Sequence, residues 1–328
     1  MKFEPTKLSK VIEHNFSYLM PDFYEMQTEY MKSMIDMYKD LDAALVAMFL
    51  TNKFYQGKIK ENYLSDNVSN KKFYKKEKLN LPLTKLKINE ISKAIGIPRE
   101  TVRRKKIKLM KNKFIIFKKN KKIYSLNISL VDKKILEPQI KISSKMLFSC
   151  IFLLGNNIFN KDLDLDLFKN DIEKKFILYL PIFLNFQISY FSEMRKIIDM
   201  ESIFINLLCA LNTATHLKKN SIKNNEIFDS KEIFSQIDIL NNKFGLNSTS
   251  IADITKIPRT TVLRKLARLE KLNILKRDKF KRYETEDLIS SDYSKKTLYP
   301  YAQNTIRILG ILISKCLETY FLKELKII

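Results

Sequence analysis

Two short phrases carry the chemistry of this chain. Residues 97–105 read IPRETVRRK and residues 257–265 read IPRTTVLRK. In each, guanidinium groups and a threonine hydroxyl follow a proline. The planar arginine fork bonds a phosphate or a guanine edge through two parallel hydrogen bonds, and a hydroxyl can bond a phosphate oxygen. This is the chemistry of gripping a polyanion rather than of breaking a bond.

The remaining composition supplies little else to react. The chain of 328 residues has five glycines and no G-x-G-x-x-G or G-x-x-x-x-G-K-[ST] loop to cradle a nucleotide phosphate. His14 and His216 are the only histidines, too few for a His-based triad or a His-rich metal site. Cys150, Cys209 and Cys316 form no C-x-x-C pair and read as three buried thiols in a reducing compartment. Asp164 and Asp166 read as solvated charge in a linker, not as an acid–base pair. No catalytic residue, metal or cofactor is expected.

Charge points the same way. Sixty Lys+Arg oppose 36 Asp+Glu, a formal net charge of +24. Part of that excess belongs to a Lys-, Asn- and Ile-rich composition of the kind AT-rich genomes encode. Its distribution is more informative: between Arg99 and Lys122 twelve cations face Glu100 alone. Between Arg259 and Arg282 ten face Glu270 and Asp278, whereas residues 22–40 carry Asp22, Glu25, Glu29, Asp36 and Asp40. Positive charge gathers where a phosphate backbone would lie.

What positions these cations is a duplication. Pro98 and Pro258 are 160 residues apart, and the same offset superposes Ile91 on Ile251, Thr101 on Thr261, Val102 on Val262 and Leu109 on Leu269. Upstream it superposes Phe16 on Phe176, Pro21 on Pro181, Gln27 on Gln187 and Tyr30 on Tyr190. The reading is two repeats, residues 1–160 and 161–328, meeting near 155–175 where the chain turns polar and acidic. The repeat also settles the uncharged stretches 146–160 and 176–192. The counterpart of the second carries Asp22, Glu25 and Glu29, so a buried helix in both repeats is expected and no membrane span. The first residues, MKFEPTKLSKVIEH, lack an apolar core of secretory length, and a cytoplasmic, nucleoid-associated protein is expected.

Each repeat is expected to start with a helix after its proline. Flanking helices are predicted over about 22–57 and 139–154 in the first repeat and 182–217 and 301–323 in the second. Between them, within about 80–126 and 232–286, the spacing is that of a helix-turn-helix. Ser92 lets two helices approach, Gly96 sits where a left-handed backbone is cheap, and Val102 packs the second helix, whose first turn Pro98 suits. Ala252, Lys256 and Val262 take the corresponding places. Lys256 would be strained if left-handed, and Lys106, standing where the second copy has Leu266, must snorkel. The alternating segments 114–126 and 274–285, each with a charged tip, read as strand, turn, strand. The fold class is therefore mainly α with small β-wings.

At this point the phrases ISKAIGIPRETVRRK and IADITKIPRTTVLRKLARLEKLNILKRD resemble bacterial winged-helix transcription regulators. Helices on both sides of each winged helix look like the MarR-type arrangement, which implies two tandem winged-helix domains in an intramolecular pseudo-dimer. The partner so implied is double-stranded DNA. Exposed N-terminal residues of a recognition helix reach base edges, which assigns that role to Arg99, Glu100 and Arg103, and to Arg259, Thr260 and Leu263. Arg104 and Arg264 join the contact set, Thr101 and Thr261 would bond phosphates, and Lys119, Lys121, Lys122, Lys279, Lys281 and Arg282 would track the backbone or minor groove from the wings. The implied output is transcriptional control, most simply by blocking RNA polymerase. A plasmid-type replication initiator and a winged-helix scaffold that pairs with protein are the competing readings. The aromatic series Phe176, Tyr179, Phe183, Phe186, Tyr190 and Phe191 reads as core before it reads as the wall of a small-molecule effector pocket.

Overall fold

The computed structural model describes residues 3–60, 81–83, 87–118, 123–127, 164–224, 245–286 and 294–324. It is mainly helical with small antiparallel sheets. The first half contains α1 (Pro5–His14), α2 (Phe16–Tyr38), α3 (Leu41–Lys60), β1 (Leu81–Leu83), α4 (Ile88–Ile95), α5 (Arg99–Lys111), β2 (Ile115–Lys118) and β3 (Ile123–Leu126). The second contains α6 (Leu165–Met194), α7 (Met200–Asn224), α8 (Ser248–Thr255), α9 (Arg259–Lys271), β4 (Leu275–Arg277) and β5 (Tyr283–Thr285). A π-helical turn, Ser294–Leu298, leads into α10 (Tyr299–Glu324). The helix expected over 139–154 lies outside the described residues.

The offset of the sequence repeat is carried into the backbone. α4 and α8 begin and end 160 residues apart, as do α5 and α9. The break between α1 and α2 falls at Asn15 (φ −100°, ψ 27°), and α6 has a matching non-helical residue at Lys175 (φ −119°, ψ 26°). α6 is thus two helices run together, the counterparts of α1 and α2.

Two expectations are corrected here. The first helices do not start after the prolines, because Pro21 lies inside α2 and Pro181 inside α6. An interior proline costs a helix about 3 kcal/mol. Burial of Phe16, Leu19, Met20 and Phe23 around Pro21 outweighs that, at about 1.5–3 kcal/mol for each large apolar side chain. The polar stretch 155–175 is also not wholly a linker. Asp164 caps α6, accepting from the N–H groups of Asp166 and Leu167, both at 3.0 Å. Asp166 follows in the first turn, where a negative charge is favoured. The overlooked signal is Phe168, Ile172 and Phe176, spaced four apart and all buried.

The halves meet by exchanging helices. α2 packs on α7 of the second half, and α6 packs on α3 of the first. Where α2 and α6 face each other, Phe23 meets Tyr190 edge-on (5.6 Å, 84°) and Tyr30 meets Phe183 edge-on (5.5 Å, 84°). Phe183 and Tyr190 are the repeat counterparts of Phe23 and Tyr30, so the contact is reciprocal, as at a twofold interface. Asn52 Nδ2 donates to Asn185 Oδ1 at 2.6 Å, and Arg195 pairs with Asp42 at 2.7 Å, both between halves. α10 lies across α1 so closely that a Cβ on Gly310 would overlap Ser9 and the Pro5 carbonyl. There Ser314 Oγ donates to the Phe3 carbonyl at 2.6 Å. The uncharged stretch 176–192 is part of this buried body, and among the described residues no helix is long and apolar enough to cross a membrane.

One polar pair stands out in the apolar body. Gln27 and its counterpart Gln187 are fully buried, and neither amide finds a hydrogen-bond partner among the described residues. A buried polar group left unmet costs about 1–3 kcal/mol. The double substitution Gln27→Leu with Gln187→Leu is therefore expected to raise unfolding free energy by about 1–3 kcal/mol. Urea denaturation checks this; a lower midpoint would show that the amides are bonded in solution.

Candidate nucleic-acid interface

Each helix pair is built on a small apolar set. Ile91, Ile95, Ile97, Val102 and Leu109 are buried in the first, and Ile251, Ile257, Val262, Leu266 and Leu269 in the second. Thr255 replaces Ile95; its Oγ1 donates to the Ile251 carbonyl at 2.7 Å and accepts from the Ile257 N–H at 3.3 Å. Gly96 turns through the left-handed region at φ 64°, and Lys256 does the same at φ 59°. For the lysine this costs about 1 kcal/mol. Pro98 and Pro258 stand one residue earlier than expected, as capping residues whose carbonyls accept from Val102 and Val262 at 3.0 Å.

These anchors decide which side chains face outward. Arg99, Glu100, Arg103 and Arg104 are exposed on α5, and Arg259, Thr260, Leu263 and Arg264 on α9. Thr101 and Thr261 are half-buried. Glu100 and Arg103 are not independent of each other, because they form a two-pronged ion pair at 2.8 and 2.9 Å. The Arg103 hydrogen bond holds the Glu100 carboxyl below its usual range. Arg104 Nη2 donates to Thr101 Oγ1 at 3.3 Å. Arg99, Arg259 and Arg264 have no ion pair among the described residues. Leu263, 42% exposed, is a large apolar side chain left facing water.

The inward cations of the same helices are bound by the body. Lys105 and Lys108 pair with Asp40 at 2.7 and 2.9 Å. In the second half the inward Lys265 pairs with Asp199 at 2.8 Å, and the exposed Arg268 reaches the same carboxylate at 3.7 Å. Each aspartate also caps a body helix: Asp40 accepts from the Ala43 N–H at 2.9 Å, and Asp199 from the Ser202 N–H at 3.1 Å. Burial alone would raise both carboxyls, but the lysine hydrogen bonds and the caps hold them below the ordinary range. Lys106 does snorkel: its ammonium lies 4.0 Å from the centre of the Tyr124 ring, while its counterpart Leu266 is buried.

A ribbon leaves each helix pair through a second left-handed residue, Lys113 (φ 60°) or Asn273 (φ 51°). The turn is closed by Phe114 N–H to Leu109 at 2.9 Å and Ile274 N–H to Leu269 at 3.0 Å. In the first half β1 joins the ribbon in the order β1-β3-β2, a strand that the three residues Leu81–Leu83 did not announce. In the second, Leu246 bridges to Tyr283 instead. Lys279 and Lys281 are exposed at the second tip. Arg282 is half-buried and paired with Asp278 at 2.9 Å, so it holds the tip rather than projecting from it. Lys119, Lys121 and Lys122 lie outside the described residues.

The aromatic series is core: Phe176, Tyr179, Phe183, Phe186, Tyr190 and Phe191 are all buried. Tyr190 also borders a cavity of about 90 Å³ shared with Tyr24, Asn206, Thr285 and Tyr301. Cys209 and Cys316 are buried thiols outside any disulfide, and burial pushes Cys209 up to about 12. Cys150 lies outside the described residues. Among the described residues no group of His, Cys, Asp or Glu is placed to hold a metal. Comparison with protein-family models, curated proteins and solved structures gives no match.

The aspartate clamps carry a sign that can be tested. Both folded carboxyls titrate below their unfolded values, so their stabilisation is complete above about pH 4 and is lost as pH falls through the lowered folded value. Asp40→Asn keeps the cap but not the charge, and is expected to cost about 1 kcal/mol at pH 7; Asp40→Ala should cost about 1 kcal/mol more. Denaturation at pH 7 and pH 3 should show the Asn penalty shrinking in acid. A penalty equal at both pH values would sink the clamp.

Proposed function

We propose that this chain is a sequence-specific double-stranded DNA-binding protein, in which two winged helices on a shared helical body form an intramolecular pseudo-dimer. One observation carries the reading: in both helix pairs the inward cations are neutralised by an aspartate of the body, while Arg99, Arg104, Arg259 and Arg264 face outward. Such a division leaves unneutralised charge where a phosphate backbone would lie. The reciprocal packing of α2 and α6 supports a pair of reading heads related as in a dimer bound to two half-sites.

The halves differ in what they offer to bases. α5 presents Arg99 and the Glu100–Arg103 pair, suited to guanine and cytosine edges; α9 presents Arg259 for guanine, and the methyl groups of Thr260 and Leu263 suit thymine. The proposed site is therefore asymmetric, with half-sites about 10 base pairs apart. Occupying such a site would regulate transcription by excluding RNA polymerase.

Selection of bound sequences from a random duplex pool tests this. It should return one asymmetric motif with two half-sites. Arg99→Ala and Arg259→Ala should each weaken binding by roughly 10–100-fold and relax one base position. Lys281→Ala should weaken all sequences alike and reduce the salt slope by about one. Affinity indifferent to salt would refute DNA binding and favour a protein-pairing scaffold.

A further inference from the structure

The second ribbon ends in a tip built differently from a cationic loop. Asp278 sits at its base with its side chain 2% exposed, accepting from the N–H groups of Phe280 and Arg282 at 2.8 Å. It also holds the Arg282 guanidinium at 2.9 Å. The backbone closes over it, with Asp278 N–H to the Arg282 carbonyl at 2.8 Å and Lys281 N–H to the Asp278 carbonyl at 3.0 Å. Lys281 adopts φ 61° to complete the turn. Gly245 passes beneath, where a Cβ would come 2.8 Å from that of Arg282.

This scaffold holds a single aromatic ring outward. Phe280 is 57% exposed, the highest value among the large apolar side chains described. The Lys279 ammonium and the Arg282 guanidinium lie 5.3 and 4.9 Å from its ring centre. A loose loop would let such a ring fold back, and a ring meant for the core would not be flanked by cations. In the repeat alignment Asn120 and Lys118 stand where the second copy has Phe280 and Asp278. The feature thus belongs to one half of the sequence only.

We infer that the tip of the second ribbon is a minor-groove wedge, in which Lys279 and Lys281 straddle the phosphates and Phe280 enters between base steps and bends the duplex at one half-site. An apolar side chain carried into the minor groove by cations partly unstacks a step and kinks the helix. The inference rests on the DNA-binding reading above, and adds to it a shape requirement: a deformable pyrimidine–purine step beside the half-site read by α9.

The chain has no tryptophan, so Phe280→Trp places a unique indole at the tip, which can be excited at wavelengths that its tyrosines do not absorb. Titrated with a mixed-sequence duplex at low salt, its emission should fall by about half or more as the indole stacks on bases. A duplex labelled at both ends with donor and acceptor should shorten on binding the wild-type chain and Phe280→Leu, but not Phe280→Ala. Phe280→Ala should lose about tenfold in affinity while its salt slope stays unchanged. Because the ring is exposed, these variants should fold as the parent does. Duplex binding by Phe280→Trp with unchanged indole emission, or an equal end-to-end distance for wild type and Phe280→Ala, overturns the wedge and leaves the DNA-binding reading standing. Failure of the wild-type chain to bind any duplex overturns both.

Discussion

The edge-on contacts of Phe23 with Tyr190 and of Tyr30 with Phe183 constrain everything outside them. Two rings on one helix meet the counterparts of each other on the second, so neither helix can slide or rotate without breaking both pairs. Edge-to-face aromatic pairs add about 0.5–1.5 kcal/mol beyond the area they bury. Reciprocity matters more than that energy, because it relates the two helix pairs through the body instead of leaving them on independent tethers. The exchange of α2 onto α7 and α6 onto α3 extends the same constraint over the length of the body.

From that body the charge is divided by geometry. Asp40 and Asp199 each perform two tasks, capping a body helix and drawing in the lysine from α5 or α9. Holding the inner face of each second helix in this way turns its arginines out. A fused pair can also let its halves drift apart. Thr255 replaces Ile95 with an internally bonded hydroxyl, Leu266 fills the core where Lys106 lies over Tyr124, and Phe280 stands where the first copy has Asn120. The fold tolerates these differences because each is met locally. The proposed function uses them to read two unlike half-sites.

Much of the helix pairs was legible without coordinates. The spacing of Ser92, Gly96, Pro98 and Val102 announced two short helices joined by a tight turn, and Lys256 and Lys106 were identifiable as the two misfits. The long helices were less legible. Prolines usually mark helix starts, and here two sit inside helices because surrounding burial outweighs their cost. An acidic run usually reads as linker, and here Asp164 within it caps α6. The strand β1 had no signal at all, since three residues including a proline reveal nothing until a partner strand is beside them.

The amino-acid sequence by itself determined the duplication, the local helix and turn chemistry, and the concentration of arginine and lysine in two places. These depend on spacing within a few residues or on one constant offset, and both are printed along the chain. Only the tertiary structure decided which cations remain outward, that Glu100 and Arg103 are one ion pair, that Arg282 braces a tip, and that the halves face each other reciprocally. Those outcomes join residues from one turn to some 160 positions apart, and a carboxylate chooses among several nearby cations only when packing has set the distances.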